Sequence, residues 1–207
     1  MRKIGIFGSS GLAREIADLA RELNYKEVFF IDLEKGIDEI SGVTIISENE
    51  IVQSDDVDYV IGIGDGKIRK KIYEKFPNLN YVNLLHPSIT IGDGLLEKIN
   101  TSKGNIICAG SRLTNNIEIG NFNFINLNVT VGHDCIIDDF VTILSGANIS
   151  GNVHLMEGSY IGTGAVILQG KSINEKMVIG EFSTVGAGAV VVKSVESNKI
   201  VKGVPAK

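Results

Sequence analysis

A six-residue period of branched apolar residues runs through the second half of the chain. Every sixth residue from Ile107 to Val191 is Ile, Leu or Val. Four residues after most of these positions stands a smaller residue that also suits a buried place: Val129, Cys135, Val141, Ala147, Val153, Ser159, Ala165, Ser183 and Ala189. Asn123 and Lys171 interrupt this second series. A period of six fits neither a helix nor a simple alternating strand, and it predicts short strands joined by tight corners.

The same period predicts that the strands form a β-helix. Three short strands close one triangular coil, and stacked coils share a continuous apolar core. Gly and Asn provide the backbone freedom that tight corners need, and they recur at Gly120-Asn121, Gly132, Gly151-Asn152, Gly162 and Gly180. A β-sandwich of short strands is the alternative, but it would not keep a strict period of six over successive coils.

Residues 1–85 lack this period and alternate between predicted strands and helices. Strands are predicted at Lys3–Phe7, Val28–Ile31, Val43–Ile46, Val57–Ile63 and Tyr81–Leu85. Helices are predicted at Leu12–Asn24, which has apolar residues at helical spacing, and at the charged segment Lys67–Phe76. This order predicts a Rossmann-like α/β domain with a mostly parallel sheet over residues 1–85, followed by the β-helix over residues 86–207.

Three loops of the predicted α/β domain meet at the carboxyl ends of its strands, where such sheets bind ligands. The loop Gly8-Ser9-Ser10-Gly11 opens a helix, so its amides can hold a phosphate. Asp32 ends the second strand, where an acidic residue can bond a ribose hydroxyl. The third loop is Gly64-Asp65-Gly66. The first loop lacks the G-x-G-x-x-G pattern and can equally be a structural turn, but the agreement of three loops favours binding of a nucleotide sugar.

Composition and charge narrow the classes of function. The 207 residues include 24 Gly but only 3 Pro, which favours tight turns over a disordered linker. The net charge of −5 gives no reason to expect nucleic acid, and no apolar run reaches the length of a membrane span. The segment Met1–Phe7 passes directly into a strand, unlike a signal peptide, and Cys108 and Cys135 suit a reducing compartment. No Cys/His cluster has zinc spacing. We therefore expect a cytoplasmic protein without a metal.

Several motifs resemble those of a known enzyme family. They are Gly8-Ser9-Ser10-Gly11, Ile63–Lys71, His86-Pro87, Gly132-His133-Asp134-Cys135, Ser150-Gly151-Asn152-Val153 and Gly203-Val204-Pro205-Ala206-Lys207. Together with the paired domains, they resemble the hexapeptide-repeat sugar acetyltransferases of the sialic acid O-acetyltransferase and UDP-4-amino-sugar N-acetyltransferase family, which includes bacillosamine-type enzymes. The resemblance covers nearly the whole chain. It implies a left-handed β-helix, a homotrimer with active sites between neighbouring β-helices, and acetyl-CoA-dependent acetylation of sugars for glycans.

The resemblance also assigns catalytic roles. It makes His133 the general base, Asp134 its partner and the Gly151 amide the donor to the thioester carbonyl. Acetyl transfer needs a base with a pKa near the working pH and a donor to the oxyanion. The phase of the repeat puts His133 at an outward corner and Cys135 inside, which predicts direct transfer without an acyl-cysteine. A solitary surface histidine more often has no chemical role than has one, so the neighbouring Asp134 and the repeat around the pair support the catalytic interpretation.

The other histidines and Arg69 are not expected to take part in the catalytic step. His86 is expected at the domain junction and His154 in solvent. Some relatives carry a second histidine where this chain has Thr142, so its role with the acetyl group is not carried over. Arg69, within Ile63–Lys71, is expected to bind substrate together with the three loops.

Coenzyme A is expected in the groove between two neighbouring β-helices, near their C-terminal coils. Small residues there let pantetheine approach the backbone, although they also suit the coil corners; they are Gly151, Gly162, Thr163, Gly164, Ala165, Gly186, Ala187, Gly188 and Ala189. Lys202 is expected to meet the CoA phosphates on grounds of charge.

Three functions are compared. The leading prediction is N-acetylation of a UDP-linked 4-amino sugar, because Ile63–Lys71 looks closer to the amino-sugar branch. The second is O-acetylation of sialic acid or a related sugar, which need not involve a nucleotide. The third is a structural or regulatory β-helix without CoA binding, and the His133-Asp134 pair argues against it.

Overall fold

An α/β domain forms the first part of the molecule. The computed structural model describes residues 2–32 and 36–207, so Met1 and residues 33–35 of the predicted domain lie outside the described residues. The elements of this domain are β1 (Lys3–Phe7), α1 (Gly11–Glu22), β2 (Glu27–Asp32), β3 (Glu39–Ile40), β4 (Val43–Ser47), a 3-10 turn (Glu48–Glu50), β5 (Val57–Ile61) and α2 (Gly66–Lys75). The sheet order is β3-β4-β2-β1-β5, and only the β3–β4 pair is antiparallel. The predicted, mostly parallel α/β sheet is confirmed.

The second part is built from very short parallel strands. In chain order these are β6 (Leu84–Leu85), β7 (Thr90–Ile91), β8 (Ile106–Ile107), β9 (Arg112–Leu113), β10 (Glu118–Ile119), β11 (Phe124–Ile125), β12 (Thr130–Val131), β13 (Ile136–Ile137), β14 (Thr142–Ile143), β15 (Asn148–Ile149), β16 (Val153–Leu155), β17 (Tyr160–Ile161), β18 (Val166–Ile167), β19 (Met177–Ile179), β20 (Thr184–Val185), β21 (Val190–Val191) and β22 (Ile200–Val201). They stack into three sheets, β22-β20-β17-β14-β11-β8-β6, β21-β18-β15-β12-β9-β7 and β10-β13-β16-β19. The predicted left-handed parallel β-helix is confirmed.

The predicted inward residues form the core of the coil. The six-residue series is buried except for Ile119, which is half-buried, and Ile173, which is 57% exposed. The prediction for Ile173 is wrong because residues 168–176, here called the excursion, leave the coil. Thr142 pairs with Tyr160, 18 residues on, whereas Tyr160 pairs with Thr184, 24 residues on. The six extra residues also explain why Lys171 interrupts the second series.

Asn123 keeps its inward place although it is polar. Its Oδ1 accepts a hydrogen bond from the Val141 N–H at 2.7 Å, and its own N–H donates to Asn105 Oδ1 at 2.9 Å. Asparagines one coil apart therefore form a ladder along the interior, which satisfies most of their buried hydrogen-bonding groups.

The three corners of the coil carry different residues in the left-handed backbone conformation. The phenylalanine corner holds Phe122, Phe140 and Phe182; the glycine corner holds Gly146, Gly164 and Gly188; the polar corner holds Asn116, Asp134 and Asn152. Such a conformation is ordinary for Gly, Asn and Asp but uncommon for Phe. Packing holds the phenylalanines, because the Phe122 ring lies 5.3 Å from that of Phe140 and 4.5 Å from that of Tyr73 in α2. This corner therefore docks the α/β domain.

The junction between the domains divides the predicted strand Tyr81–Leu85. Tyr81 forms an isolated bridge with Tyr59 of β5, whereas Leu84 and Leu85 form β6, the first strand of the coil. His86 lies at this junction, as expected, with its Nε2 3.0 Å from Glu22 of α1.

A helix that the hexapeptide period does not predict lies near the start of the coil. It is α3 (Leu95–Asn100), and it buries Leu95 and Ile99 in the coil core. Within the described ranges no helix combines the length and apolarity that a bilayer span needs.

Candidate active site

His133 and Asp134 lie at the polar corner, in the turn between β12 and β13. His133 Nδ1 is 2.6 Å from Asp134 Oδ2. A carboxylate can only accept, so Nδ1 carries the hydrogen of this bond, and Nε2 has a lone pair whenever the ring is neutral. Adjacent side chains on an extended strand would point to opposite faces. Asp134 avoids this because its φ of 58° turns the chain. The His133 side chain is 50% exposed, and within the described part of the chain its Nε2 makes no hydrogen bond.

The carboxyl group of Asp134 is held in its ionised form. Asn116 Nδ2 donates to Asp134 Oδ1 at 2.5 Å. This bond, followed by the one from His133, lowers the pKa of Asp134. The carboxylate is therefore charged at neutral pH and can stabilise an imidazolium on His133.

Gly151 borders the free nitrogen of His133. A Cβ atom on Gly151 would lie 2.6 Å from His133 Nε2, so a side chain there would collide with the ring. Among the described residues, the Gly151 N–H finds no hydrogen-bond acceptor. A histidine nitrogen and an unused amide donor are therefore neighbours at one corner.

Both thiols are unsuited to nucleophilic attack. Cys135 points into the coil and is 1% exposed, and burial raises the pKa of its thiol. Burial also raises the pKa of Cys108, to about 12. A thiol that stays protonated and buried is inert, in line with direct transfer.

The predicted substrate-binding role of Arg69 is wrong. Its side chain is 2% exposed. The guanidinium donates at 2.7–3.0 Å to the main-chain oxygens of Ile63, Gly64, Phe122, Phe140 and Val141 and to the Thr142 hydroxyl. All five of its N–H groups are used by these acceptors, so none remains for a substrate. Burial lowers the pKa of Arg69 to about 10, and the side chain remains charged.

The same contacts turn the Gly64–Gly66 loop towards the coil. The Gly64 carbonyl accepts from Arg69 and from Thr142 Oγ1, and a Cβ atom on Gly66 would lie 2.4 Å from the Phe140 oxygen. Asp65 caps α2 by accepting from the main-chain N–H groups of residues 67 and 68. Docking and capping thus account for Gly64 and Asp65 without a ligand. We call Arg69 and its acceptors the Arg69 anchor.

The other two predicted loops meet at the edge of the sheet. Ser9 Oγ lies 2.5 Å from Asp32 Oδ2 and donates to it. Next to this pair, α1 begins after Ser10, and its first turn contains no acidic residue. Ser10 and Gly11 are exposed, so the first amides of the helix remain open to an anion. Gly8, with φ 97°, makes the turn into this edge.

The glycines predicted to bind coenzyme A fall into two groups, those with open space beside them and those packed against the next coil. Gly164 and Gly188 stack with Gly146 at the glycine corner, where a Cβ atom would meet nothing within 4 Å. Their backbone is therefore bare and accessible. Gly162 is required by the stacking of coils, because a Cβ atom there would lie 2.5 Å from the Ala187 nitrogen.

Lys202 and the remaining small residues border the glycine corner. Thr163 and Ala187 are exposed, and a Cβ atom on Gly186 would approach Lys202 Cβ at 3.1 Å. Lys202 is itself exposed. The glycine and polar corners are different edges of the coil, joined by the sheet that contains β12, β15 and β18. One chain therefore does not bring these glycines together with His133.

Sequence reasoning missed two residues that contact Asp134. Asn116 lies 18 residues before Asp134, which is one coil, so a search at that spacing would have found it. Lys176 Nζ donates to the Asp134 carbonyl at 2.5 Å. Nothing in the repeat points to Lys176, because it lies on the excursion.

Comparison with known proteins gives concordant similarities over the whole chain. A family model described as the PglD N-terminal domain matches residues 3–76. GDP-perosamine N-acetyltransferase of Escherichia coli O157:H7 is 31% identical, over 80% of this chain and 78% of that protein. The structure of WeeI from Acinetobacter baumannii AYE superposes with a TM-score of 0.90 at 32% identity, covering 100% of this chain and 99% of that one. The acetyltransferase domain of PglB from Neisseria gonorrhoeae FA1090, in complex with acetyl coenzyme A, gives 0.86 at 29% identity, covering 100% and 98%.

Proposed function

The chain belongs to the family of hexapeptide-repeat sugar N-acetyltransferases, and we propose that it transfers the acetyl group of acetyl-CoA to the amine of a nucleotide-linked 4-amino sugar. The observation that carries this proposal is the exposed His133–Asp134 pair with Nε2 beside Gly151. The name of the Escherichia coli relative supports the acceptor class, and the acetyl-CoA complex of the PglB domain supports the donor.

His133 acts as the general base in the proposed mechanism. The sugar amine attacks the thioester carbonyl, a C–N bond forms, and the amine proton passes to Nε2. Asp134 stabilises the resulting imidazolium, and the Gly151 N–H donates to the oxyanion. Breaking the C–S bond releases the thiolate of CoA, which takes the proton back from His133. Cys135 forms no intermediate.

The proposed nucleotide site is the edge formed by the Gly8–Gly11 loop and Asp32. The diphosphate binds at the open N-terminus of α1, and the Ser9–Asp32 pair bonds the ribose. The sequence motifs favour UDP, whereas the name of the curated relative specifies GDP. Calorimetry with UDP, GDP and dTDP distinguishes these bases, and absence of binding by all three would contradict the site.

The complete site needs a neighbouring copy. Because the glycine and polar corners lie on different edges of the β-helix, acetyl-CoA along Gly164 and Gly188 of one subunit would meet His133 of the neighbouring subunit in a homotrimer. In this arrangement Lys202 lies next to the bound CoA. Light scattering should give a trimer, and a fully active monomer would contradict this arrangement. We propose a cytoplasmic reaction that supplies acetylated sugars for glycans.

A thiol-release assay tests the activity. The wild-type protein is given acetyl-CoA with UDP-, GDP- and dTDP-linked 4-amino sugars, and with sialic acid as a hydroxyl acceptor. We expect CoA release that depends on one of the nucleotide-linked amines. Release with sialic acid alone would establish O-acetylation instead, and release with none of these acceptors would overturn the proposal.

A further inference from the structure

Three polar groups, from three parts of the chain, converge on Asp134. His133 donates to Oδ2 at 2.6 Å, and Asn116 donates to Oδ1 at 2.5 Å. The Lys176 ammonium donates to the main-chain oxygen at 2.5 Å. Two contacts thus hold the carboxylate and one holds the backbone, so that each accepting oxygen of Asp134 has a donor.

Asn116 contacts Asp134 because successive coils stack their equivalent corners on one another. The two residues lie one coil apart at the polar corner, and both have left-handed backbones, with φ of 53° and 58°. Stacking therefore brings the Asn116 amide next to the carboxylate. Bonding through Nδ2 leaves the other carboxylate oxygen for His133, so this contact selects the orientation of the Asp134 side chain.

Lys176 reaches Asp134 because of the excursion. Both ends of the excursion are tied to the corner next to His133, where the Gly170 N–H donates to the Gly151 oxygen at 3.1 Å and the Met177 N–H donates to the Asn152 oxygen at 3.0 Å. The far part of the excursion is exposed, whereas Lys176 is half-buried. The segment that contains the six extra residues therefore places the Lys176 ammonium at the polar corner.

We propose that Asn116 and Lys176 are positioning residues, which hold Asp134 so that it keeps Nδ1–H on His133 and Nε2 free. Without them, a carboxylate on a solvent-accessible corner has water and other rotamers as alternatives. The inference rests on the proposed acetyl transfer for its kinetic consequence, but the orientation of the His133 ring can be measured without any substrate.

Steady-state kinetics provides the first test. Asn116→Gly keeps the left-handed corner but removes the amide, and Lys176→Met keeps the stem but removes the charge. We expect kcat to fall about tenfold to a hundredfold in each variant, because displaced catalytic groups cost rates of this order. The KM for acetyl-CoA and for the sugar should stay within about twofold, since neither residue is proposed to touch substrate.

Matched control variants distinguish the loss of a contact to Asp134 from a general effect of the substitution on the protein. Asn198→Gly alters another left-handed asparagine, with φ 62°, and Lys171→Met removes a lysine at the exposed part of the excursion. Both should keep the wild-type kcat. Lys176→Arg should recover most of the activity because a guanidinium can donate to the same carbonyl. Asn116→Asp should lose at least as much kcat as Asn116→Gly, because it replaces the donor with a like charge.

The second test is nitrogen NMR of the histidine rings, of which the chain has three. The His133 signals are identified by their loss in His133→Ala. In the wild type we expect a slowly exchanging Nδ1–H and an unprotonated Nε2, and in Asn116→Gly and Lys176→Met a mixture of tautomers. Unchanged ring signals, an unchanged kcat, or a rise in KM alone would overturn the inference. If the wild type acetylated none of the sugars, the proposed function would fail while the ring signals still tested the positioning.

Discussion

The polar corner and the Arg69 anchor are both built from charged and hydrogen-bonding groups, but they differ in what they leave unused. At the anchor, six oxygens engage every N–H of a side chain that is 2% exposed. At the polar corner, Asp134 is fully engaged, whereas the Nε2 of a half-exposed His133 is not. The residual hydrogen-bonding capacity, rather than charge or motif membership, separates a candidate site from a structural contact.

The largest expected effect belongs to the polar corner. His133→Ala should lower kcat roughly 100- to 10,000-fold, the usual contribution of a general base. CoA binding and the melting temperature should stay near the wild-type values because the ring is exposed. His154→Ala is the matched control, since His154 also pairs with an aspartate, Asp138. An equal loss in both variants would remove the distinction that singles out His133.

Arg69→Met should show the opposite pattern. Removing the guanidinium leaves buried carbonyl oxygens unpaired, and we expect a loss of about 3 kcal/mol or more in the free energy of unfolding by urea. The folded fraction should bind nucleotide with unchanged affinity. Arg21→Met, which removes an exposed arginine paired with Asp18, serves as the control. Weaker nucleotide binding with intact stability would mean that Arg69 contacts the ligand after all.

A substitution at the proposed nucleotide site, the edge formed by the Gly8–Gly11 loop and Asp32, should have a more modest effect. Asp32→Asn keeps the shape but removes the charge, and we expect the Kd of the nucleotide to rise about tenfold, the scale of one hydrogen bond to a charged group. Calorimetry measures this, with the exposed Asp18→Asn as the control. If both variants bind equally well, the ligand does not use Asp32.

The smallest effect is expected for Cys135→Ala. The thiol lies inside the coil, so kcat should remain within about twofold of the wild type. A loss comparable to that of His133→Ala would instead favour an acyl-cysteine intermediate.

The sequence predicts the parts of the molecule that depend on a period. Residues such as Val131 and Ile149 are inward because the same positions of every six-residue unit must fill the coil, so their burial follows from the pattern alone. The domain contact does not follow from a period. Phe122 and Phe140 occupy left-handed corners that their residue type disfavours, and their packing against each other and against Tyr73 explains them.

In the candidate site, too, the sequence predicts contacts between neighbouring residues but not contacts between distant ones. His133 and Asp134 are adjacent in sequence, and their meeting needs only a corner between them. Arg69 was misassigned because four of its six acceptors, Phe122 and Phe140 among them, lie on a distant part of the chain, so no local pattern could show that its donors were already used. Lys176 was missed for the same physical reason, since its partner lies 42 residues away.

The most direct test follows the acetyl group itself. Acetyl-CoA labelled with ¹³C in the acetyl group is incubated with a UDP- or GDP-linked 4-amino sugar, and NMR reports where the label arrives. The account predicts an amide on the sugar nitrogen with the wild-type protein and almost none with His133→Ala. Label on a hydroxyl, on Cys135 or in free acetate alone would contradict it, as would an undiminished amide with His133→Ala.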